Sequence, residues 1–192
     1  MRKRLFYANR GVILLVLAII GISIFLIYDS IRCSQASKKI RSQVEAFTSE
    51  TAEAFSFPQD RISDVKNHAY LQVDLEAYLK AVSEDKCKSL LSYYLDNQAL
   101  REDLVEQVEQ IYLMQFVNHN TIASSVTRNL VNMKVKVYRD TATVDAVISN
   151  TFEGEGLEIL PFTYTDHYEM IYKDGTWQIA SYSANFYSEL SE

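Results

Sequence analysis

Apolar residues follow three regimes along this chain: an unbroken run near the N-terminus, a stretch with one every three or four positions, and a final stretch in which they alternate with polar residues. The run from Gly11 to Tyr28 has no charge and only Ser23 as a strongly polar side chain, with Arg10 and Asp29 bracketing it. At ~1.5 Å per residue it is about 27 Å long, close to the hydrocarbon thickness of a bilayer, so the pattern predicts one transmembrane helix at 11–28. A cleaved signal peptide has a shorter apolar region, roughly 7 to 15 residues, and a small-x-small site soon after it. Here Asp29 and Arg32 stand where cleavage would fall, and Arg32 directly before Cys33 is wrong for lipidation of that cysteine.

Helical spacing follows. Ile40, Val44, Phe47, Thr51 and Ala54 predict a helix over 34–55, leading out of the apolar run and ended by Phe57-Pro58. A second helix begins near Ser63 with Leu71, Leu75, Tyr78, Leu79 and Val82 on one stripe, Ser63-Asp64 acting as its cap. Cys87, Leu90, Leu91, Tyr94 and Leu95 predict a third. A fourth starts near Asn97 and buries Leu100, Leu104, Val108 and Ile111, with Glu102 and Asp103 in its first turn.

After Asn118-His119-Asn120 the period becomes two. Met133, Val135 and Val137 oppose Lys134 and Lys136, and Val144, Ala146 and Ile148 oppose Thr143 and Asp145, which predicts half-buried strands joined at Arg139-Asp140-Thr141. A longer loop runs from Glu153 to Pro161. Strands Thr163–Tyr172 and Trp177–Phe186 flank Lys173-Asp174-Gly175, whose Asp-Gly pair suits a tight hairpin. Helices first and an antiparallel meander after predict an α+β domain with the helices on one sheet face. The expected organisation is a tail at 1–10, the span at 11–28, a juxtamembrane helix or linker at 29–62 and an α+β domain at 63–192.

Charge sets orientation and excludes partners. Arg2, Lys3, Arg4 and Arg10 precede the span, whereas two basic residues, Arg32 and Lys38, fall in the ten residues after it, so the positive-inside rule places the N-terminus in the cytoplasm and the domain outside the cell membrane. Every acidic residue follows the span, and the chain as a whole carries a net charge of −6. A domain this acidic repels phosphate backbones, which excludes nucleic acid and disfavours anionic lipid. No small-xxx-small pattern marks a helix-dimer face: Gly21 is followed by Phe25.

Three helices before a bent meander that ends in the strand Asp174-Gly175-Thr176-Trp177-Gln178-Ile179 resemble the nuclear transport factor 2-like superfamily over residues 63 to 188. The resemblance implies a cone-shaped (cystatin-like) domain and is nearly silent on function, since this scaffold hosts enzymes, ligand binders and assembly modules. With a basic tail and a single anchor, the layout resembles the inner-membrane scaffold subunits of type IV secretion and conjugation machines. That family implies a non-catalytic extracytoplasmic domain that self-associates and contacts other channel subunits. Many members carry an Asn-Pro-x-Gly turn, which this chain, with Pro58 and Pro161 as its only prolines, lacks.

Enzymes of the superfamily place Asp, His and Tyr inside the cone, which makes Asp166, Tyr164 and Tyr168 the candidate acid-base residues. Neighbours on a strand face opposite ways, so Asp166 and His167 do not share a pocket unless a bulge intervenes. If the face of Tyr164, Asp166, Tyr168, Met170 and Tyr172 is concave, Asp166 is a buried base. If it is convex, Tyr164, Tyr168 and Tyr172 form an aromatic surface suited to a protein partner. His68 and His119 sit at element boundaries and read as solvated turn residues. No phosphate loop, nucleophile motif or metal-ligand spacing occurs, so no cofactor or metal is expected. Cys33 and Cys87 are too few for a disulfide framework and are read as free thiols. Two functions remain: a membrane-anchored interaction module that forms a homo-oligomer or joins a membrane complex, and an extracytoplasmic ligand-binding or acid-base domain.

Overall fold

A computed structural model describes residues 10–68 and 72–184. The basic tail before Arg10, Leu71 of the second stripe, and Phe186 at the expected end of the last strand lie outside the described residues.

Helix α1 runs unbroken from Arg10 to Phe55, 46 residues in all. Nothing interrupts it, because its interior holds no proline and Gly21 alone breaks an otherwise helix-tolerant sequence. Its two halves differ in surroundings. The apolar side chains from Val12 to Tyr28 stand out into solvent at between 47% and 67% exposure, and this part is long and apolar enough to cross a membrane. In the second half Ile40, Val44, Phe47, Thr48, Thr51, Ala54 and Phe55 are buried on one stripe of the helix. The core therefore begins at Ile40, inside the stretch read from the sequence as a juxtamembrane helix or linker.

After Pro58 come a short 3-10 turn at Gln59–Arg61, helix α2 (Ile62–His68), helix α3 (Gln72–Lys86) and a second 3-10 turn at Leu90–Tyr93. The helix expected from Ser63 is seen as α2 and α3 on either side of residues 69–71, which lie outside the described residues. The third expected helix, Cys87 to Leu95, is the 3-10 turn followed by extended chain. There the Leu95 amide donates to the Ile179 carbonyl at 3.0 Å, and Tyr94 bridges to Ile179 in parallel. Apolar residues spaced as on a helix serve separate neighbours here: Cys87 and Leu90 enter the core, while Tyr94 is drawn to the sheet edge. Helix α4 (Gln98–His119) is capped by Asn97, whose Oδ1 accepts from the Ala99 amide at 3.0 Å, and it ends at Asn120 in the left-handed conformation, φ 53°.

Strands β1 (Ser125–Tyr138), β2 (Thr141–Glu153), β3 (Phe162–Lys173) and β4 (Thr176–Ala184) form an antiparallel meander in the order β1-β2-β3-β4. The α+β class, with helices against one face of an antiparallel sheet, is as expected. Strand β1 starts well before the residues whose alternation announced it, and the register shift between Leu130 and Asn132 explains why. Val131 is the extra residue, 62% exposed, and it puts the two halves of β1 out of phase in sequence although both pack on the same face. Asp174 and Gly175 both have positive φ in the β3–β4 turn, as the Asp-Gly signal requires.

Helix α1 packs along the inner sheet face. Phe47 is fully buried and meets the rings of Tyr93, Tyr94, Tyr168 and Tyr182 edge-on, with centroids 5.3–5.8 Å away. Two polar ties fix the helix against the strands: Arg41 donates to the Met133 carbonyl at 3.0 Å and Gln43 to the Trp177 carbonyl at 2.5 Å. Truncating Phe47 removes one aromatic ring from four partners and opens a cavity at the helix–sheet seam. Phe47→Ala is expected to lower unfolding free energy by about 3–5 kcal/mol. Denaturant titration of the full chain in micelles, followed by the fluorescence of the single tryptophan, Trp177, measures this; a loss below about 1 kcal/mol would contradict the packing described.

Candidate functional site

The inner sheet face carries a charge pair sealed from solvent. Arg128 of β1 and Asp166 of β3 have fully buried side chains, with Nη2 donating to Oδ2 at 2.5 Å. They reach each other across β2, where Arg128 is in register with Asn150, and Asp166 with Ala146. The small Ala146 side chain leaves room for the guanidinium to lie over the sheet.

All five N–H groups of the guanidinium have an acceptor. Nε donates to Asn150 Oδ1 at 3.2 Å. Nη1 donates to the Thr51 hydroxyl of α1 and to the Tyr182 hydroxyl at 3.4 Å. Nη2 donates to Asp166 and to the Tyr164 hydroxyl at 2.8 Å. The Phe55 ring lies against the guanidinium, 4.8 Å from Cζ to the centroid, a cation–π contact at a fully buried side chain. On the other side Asp166 Oδ2 accepts from Tyr168 at 3.0 Å and from Tyr182 at 3.2 Å, while Oδ1 is buried without a hydrogen-bond partner.

Burial raises the Asp166 carboxyl above its ordinary value; Arg128 and the hydrogen bonds from Tyr168 and Tyr182 pull it back only in part. Burial opposes the Arg128 charge too, but Tyr182, Asp166 and Tyr164 outweigh it and the group stays protonated, its pKa well above the usual value. Tyr164, Tyr168 and Tyr182 are pushed up by burial and act as neutral phenols that donate or accept.

Tyr164, Asp166 and Tyr168 thus lie together on the face turned towards the helices. Asp166 and Tyr168 are wholly buried and Tyr164 is half-buried, so of the aromatic group Tyr164, Tyr168 and Tyr172 only Tyr172, at 39% exposure, presents a broad surface. A general base must reach a substrate proton. Oδ2 of Asp166 is occupied by three donors, and none of the three cavities described below is lined by Asp166 or Arg128. His167 faces away from Asp166 and pairs with Asp145 at 2.7 Å on the exposed sheet face. His68 stacks on Tyr78 with centroids 4.5 Å apart. His119 is half-buried, its Nε2 shielded from water. Among the described residues no group of three His, Cys, Asp or Glu is placed to hold a metal, and Cys33 and Cys87 are free thiols.

The concavities lie elsewhere. A cavity of about 870 Å³ opens between α3 and α4, with Leu91 and Val105 in its wall and five glutamates, Glu76, Glu84, Glu102, Glu106 and Glu109, around it together with Lys80, Lys88 and Arg101. One of about 150 Å³ lies where α1 meets the β1–β2 and β3–β4 turns, and one of about 30 Å³ sits beside Tyr94 and Tyr182. Partial burial raises the Glu109 carboxyl; Lys80 pulls it back in part, and crowding by Glu76, Glu106 and Glu84 adds to the rise.

No protein-family model matches the chain, and no curated protein matches it. Solved structures similar to it include the intermembrane space region of the chloroplast protein ARC6, at 17% identity and TM-score 0.32, covering 50% of this chain and 75% of that one. Another is a SEC-C motif containing protein from Rhodopseudomonas palustris, at 10% identity and TM-score 0.31, covering 58% of this chain and 73% of that one. Likenesses this slight carry no argument about fold or function.

The buried phenols make the domain sensitive to alkali. A phenol whose folded pKa lies above its unfolded value of about 10 keeps its proton longer in the native state. The stability it contributes is complete below that pH and is lost as pH rises towards the folded value. Phenolate absorbance should therefore appear in two stages: exposed tyrosines near pH ~10, then the buried set in one step with loss of the circular dichroism signal. A single smooth titration with the fold intact would contradict the closed cluster.

Proposed function

We propose that this chain is a membrane-anchored, non-catalytic assembly module whose α+β domain is held at the bilayer surface and binds protein partners or further copies of itself. The observation that carries the reading is the sealed Arg128–Asp166 cluster. It fills the inner sheet face, where a catalytic or ligand-binding pocket of this architecture would open, with buried side chains that meet every guanidinium donor and leave one carboxylate oxygen unpaired. The alternative from the sequence, an acid-base site at Asp166 flanked by Tyr164 and Tyr168, would need that carboxylate to meet a substrate.

Anchoring supports the reading in a second way. Helix α1 passes from its exposed apolar half into the core without a break, so an anchor at 11–28 would hold the domain at a fixed distance and orientation. Confinement to a membrane raises effective concentration, so modest contacts suffice for assembly. The partner surface we favour is the groove between α3 and α4, where apolar Leu91 and Val105 are rimmed by five glutamates and three cations. The helices-then-meander order and the Asp174–Ile179 strand support a nuclear transport factor 2-like cone. On the same resemblance we place the chain among type IV secretion or conjugation scaffolds, with the N-terminus cytoplasmic and the domain extracytoplasmic.

Chemical crosslinking of the full chain in its native membrane, followed by purification and mass spectrometry, tests the proposal. Crosslinks from α3 and α4 to another copy or to a membrane-complex subunit are expected, and Glu106→Lys with Glu109→Lys should reduce their yield at least tenfold without lowering expression. Recovery of the chain alone would overturn the assembly reading.

A further inference from the structure

Where α1 leaves its apolar half, three cations meet two aromatic rings. Arg32, Gln35, Ala36 and Lys39 of α1, Arg139 at the tip of the β1–β2 hairpin, and Tyr172 and Trp177 of the sheet line a cavity of about 150 Å³. That is about five waters at ~30 Å³ each, room for a group of five heavy atoms. Asp140, the acid bonded to this lining, is committed to Arg32 at 2.5 Å. Among the described residues Lys39 has no acidic partner, and Arg139 has only the Tyr138 ring, 5.6 Å from its Cζ. Arg139 also occupies a left-handed backbone position, φ 54°, where glycine or asparagine would sit with less strain. The chain thus holds an arginine at a costly position on the rim of a cationic cavity.

Position along α1 gives the cavity its surroundings. Arg32 lies one turn beyond Tyr28, about 6 Å past the end of the apolar run at ~1.5 Å per residue. The headgroup layer on each side of a bilayer occupies roughly the first 5–7 Å beyond the hydrocarbon. The Arg32–Asp140 ion pair brings the hairpin tip to that same level, with Tyr138 72% exposed beside it, the kind of aromatic that settles at a membrane interface. Lys39 is higher on the helix, but helical side chains lean towards the N-terminus, which here is towards the membrane.

We propose that this cavity binds the phosphate of an anionic phospholipid headgroup, Arg139 and Lys39 supplying the charge and Trp177 and Tyr172 walling the site from water. The proposal rests on the anchor reading. It also departs from what net charge led us to expect of the domain towards anionic lipid: the acidic groove on α3 and α4 and the cationic cavity lie in different parts of the fold, so local charge rather than the sum decides.

Trp177 is the single tryptophan and is 5% exposed in the cavity wall, which makes it a built-in reporter. The full chain is placed in nanodiscs of phosphatidylcholine, of phosphatidylcholine with phosphatidylglycerol, and of phosphatidylcholine with inorganic phosphate in the buffer. Tryptophan emission is followed in each, and disc association is checked by flotation. A saturable change with phosphatidylglycerol is expected. One cation near an anionic surface is worth roughly fivefold in affinity, so Lys39→Gln with Arg139→Gln should raise the half-saturating phosphatidylglycerol fraction about 25-fold, whereas Lys88→Gln should leave it unchanged. The same change with inorganic phosphate alone would overturn lipid as the source. No change with phosphatidylglycerol, or an equal response from the double variant, would overturn the site. A chain that stays at the bottom of the gradient while the discs float would instead overturn the anchor reading.

Discussion

One guanidinium ties the first helix to three strands. Arg128 on β1 reaches Thr51 of α1, Asn150 of β2, Tyr164 and Asp166 of β3 and Tyr182 of β4, so the relative position of every strand and of the buried half of α1 is read at a single group. Taking a carboxylate and a guanidinium out of water costs several kcal/mol for each ion, and their attraction offsets this only when the remaining donors and acceptors are met. Here every donor is met and one carboxylate oxygen is not, so the pair is better understood as a specificity device than as a large source of stability. A sheet that slipped by one residue would turn Arg128 to the outer face and leave Asp166 buried alone.

The packing around the pair follows from that constraint. Phe47 and Phe55, one side of the same helix, cover the tyrosines and the guanidinium, and the short Ala146 between the charged strands makes the crossing feasible. With the inner face so filled, what remains for recognition is outside the core: the glutamate-rimmed groove of α3 and α4 and the cationic cavity at the foot of α1. A catalytic role would need an opening that this arrangement does not offer to Asp166.

Much of the architecture was legible because local chemistry and tertiary demand agree. Asn97 caps α4 as its side chain suggests, Asp174-Gly175 turns the last hairpin, and the uncharged run from Gly11 makes a helix suited to lipid. The rest was hidden where they disagree. Arg128 in a strand looks solvent-facing, its partner lies 38 positions away, and the bulge at Val131 breaks the alternation that would have placed the arginine inside. Cys87 to Leu95 has helical spacing but answers to the core and to β4 instead. Asp166 and its tyrosines stood out in sequence as a group, yet sequence does not tell a poised base from half of an ion pair.

The most direct test of the sealed interior is a double-mutant cycle on Arg128→Met and Asp166→Leu, measured by denaturant unfolding of the full chain in micelles. Each single change leaves one buried charge uncompensated and is expected to cost about 3–5 kcal/mol, while the double variant, with no charge to strand, should recover most of that loss. Small single effects that simply add would contradict the account, because they would mean that water, and with it a ligand, reaches the inner face of the sheet.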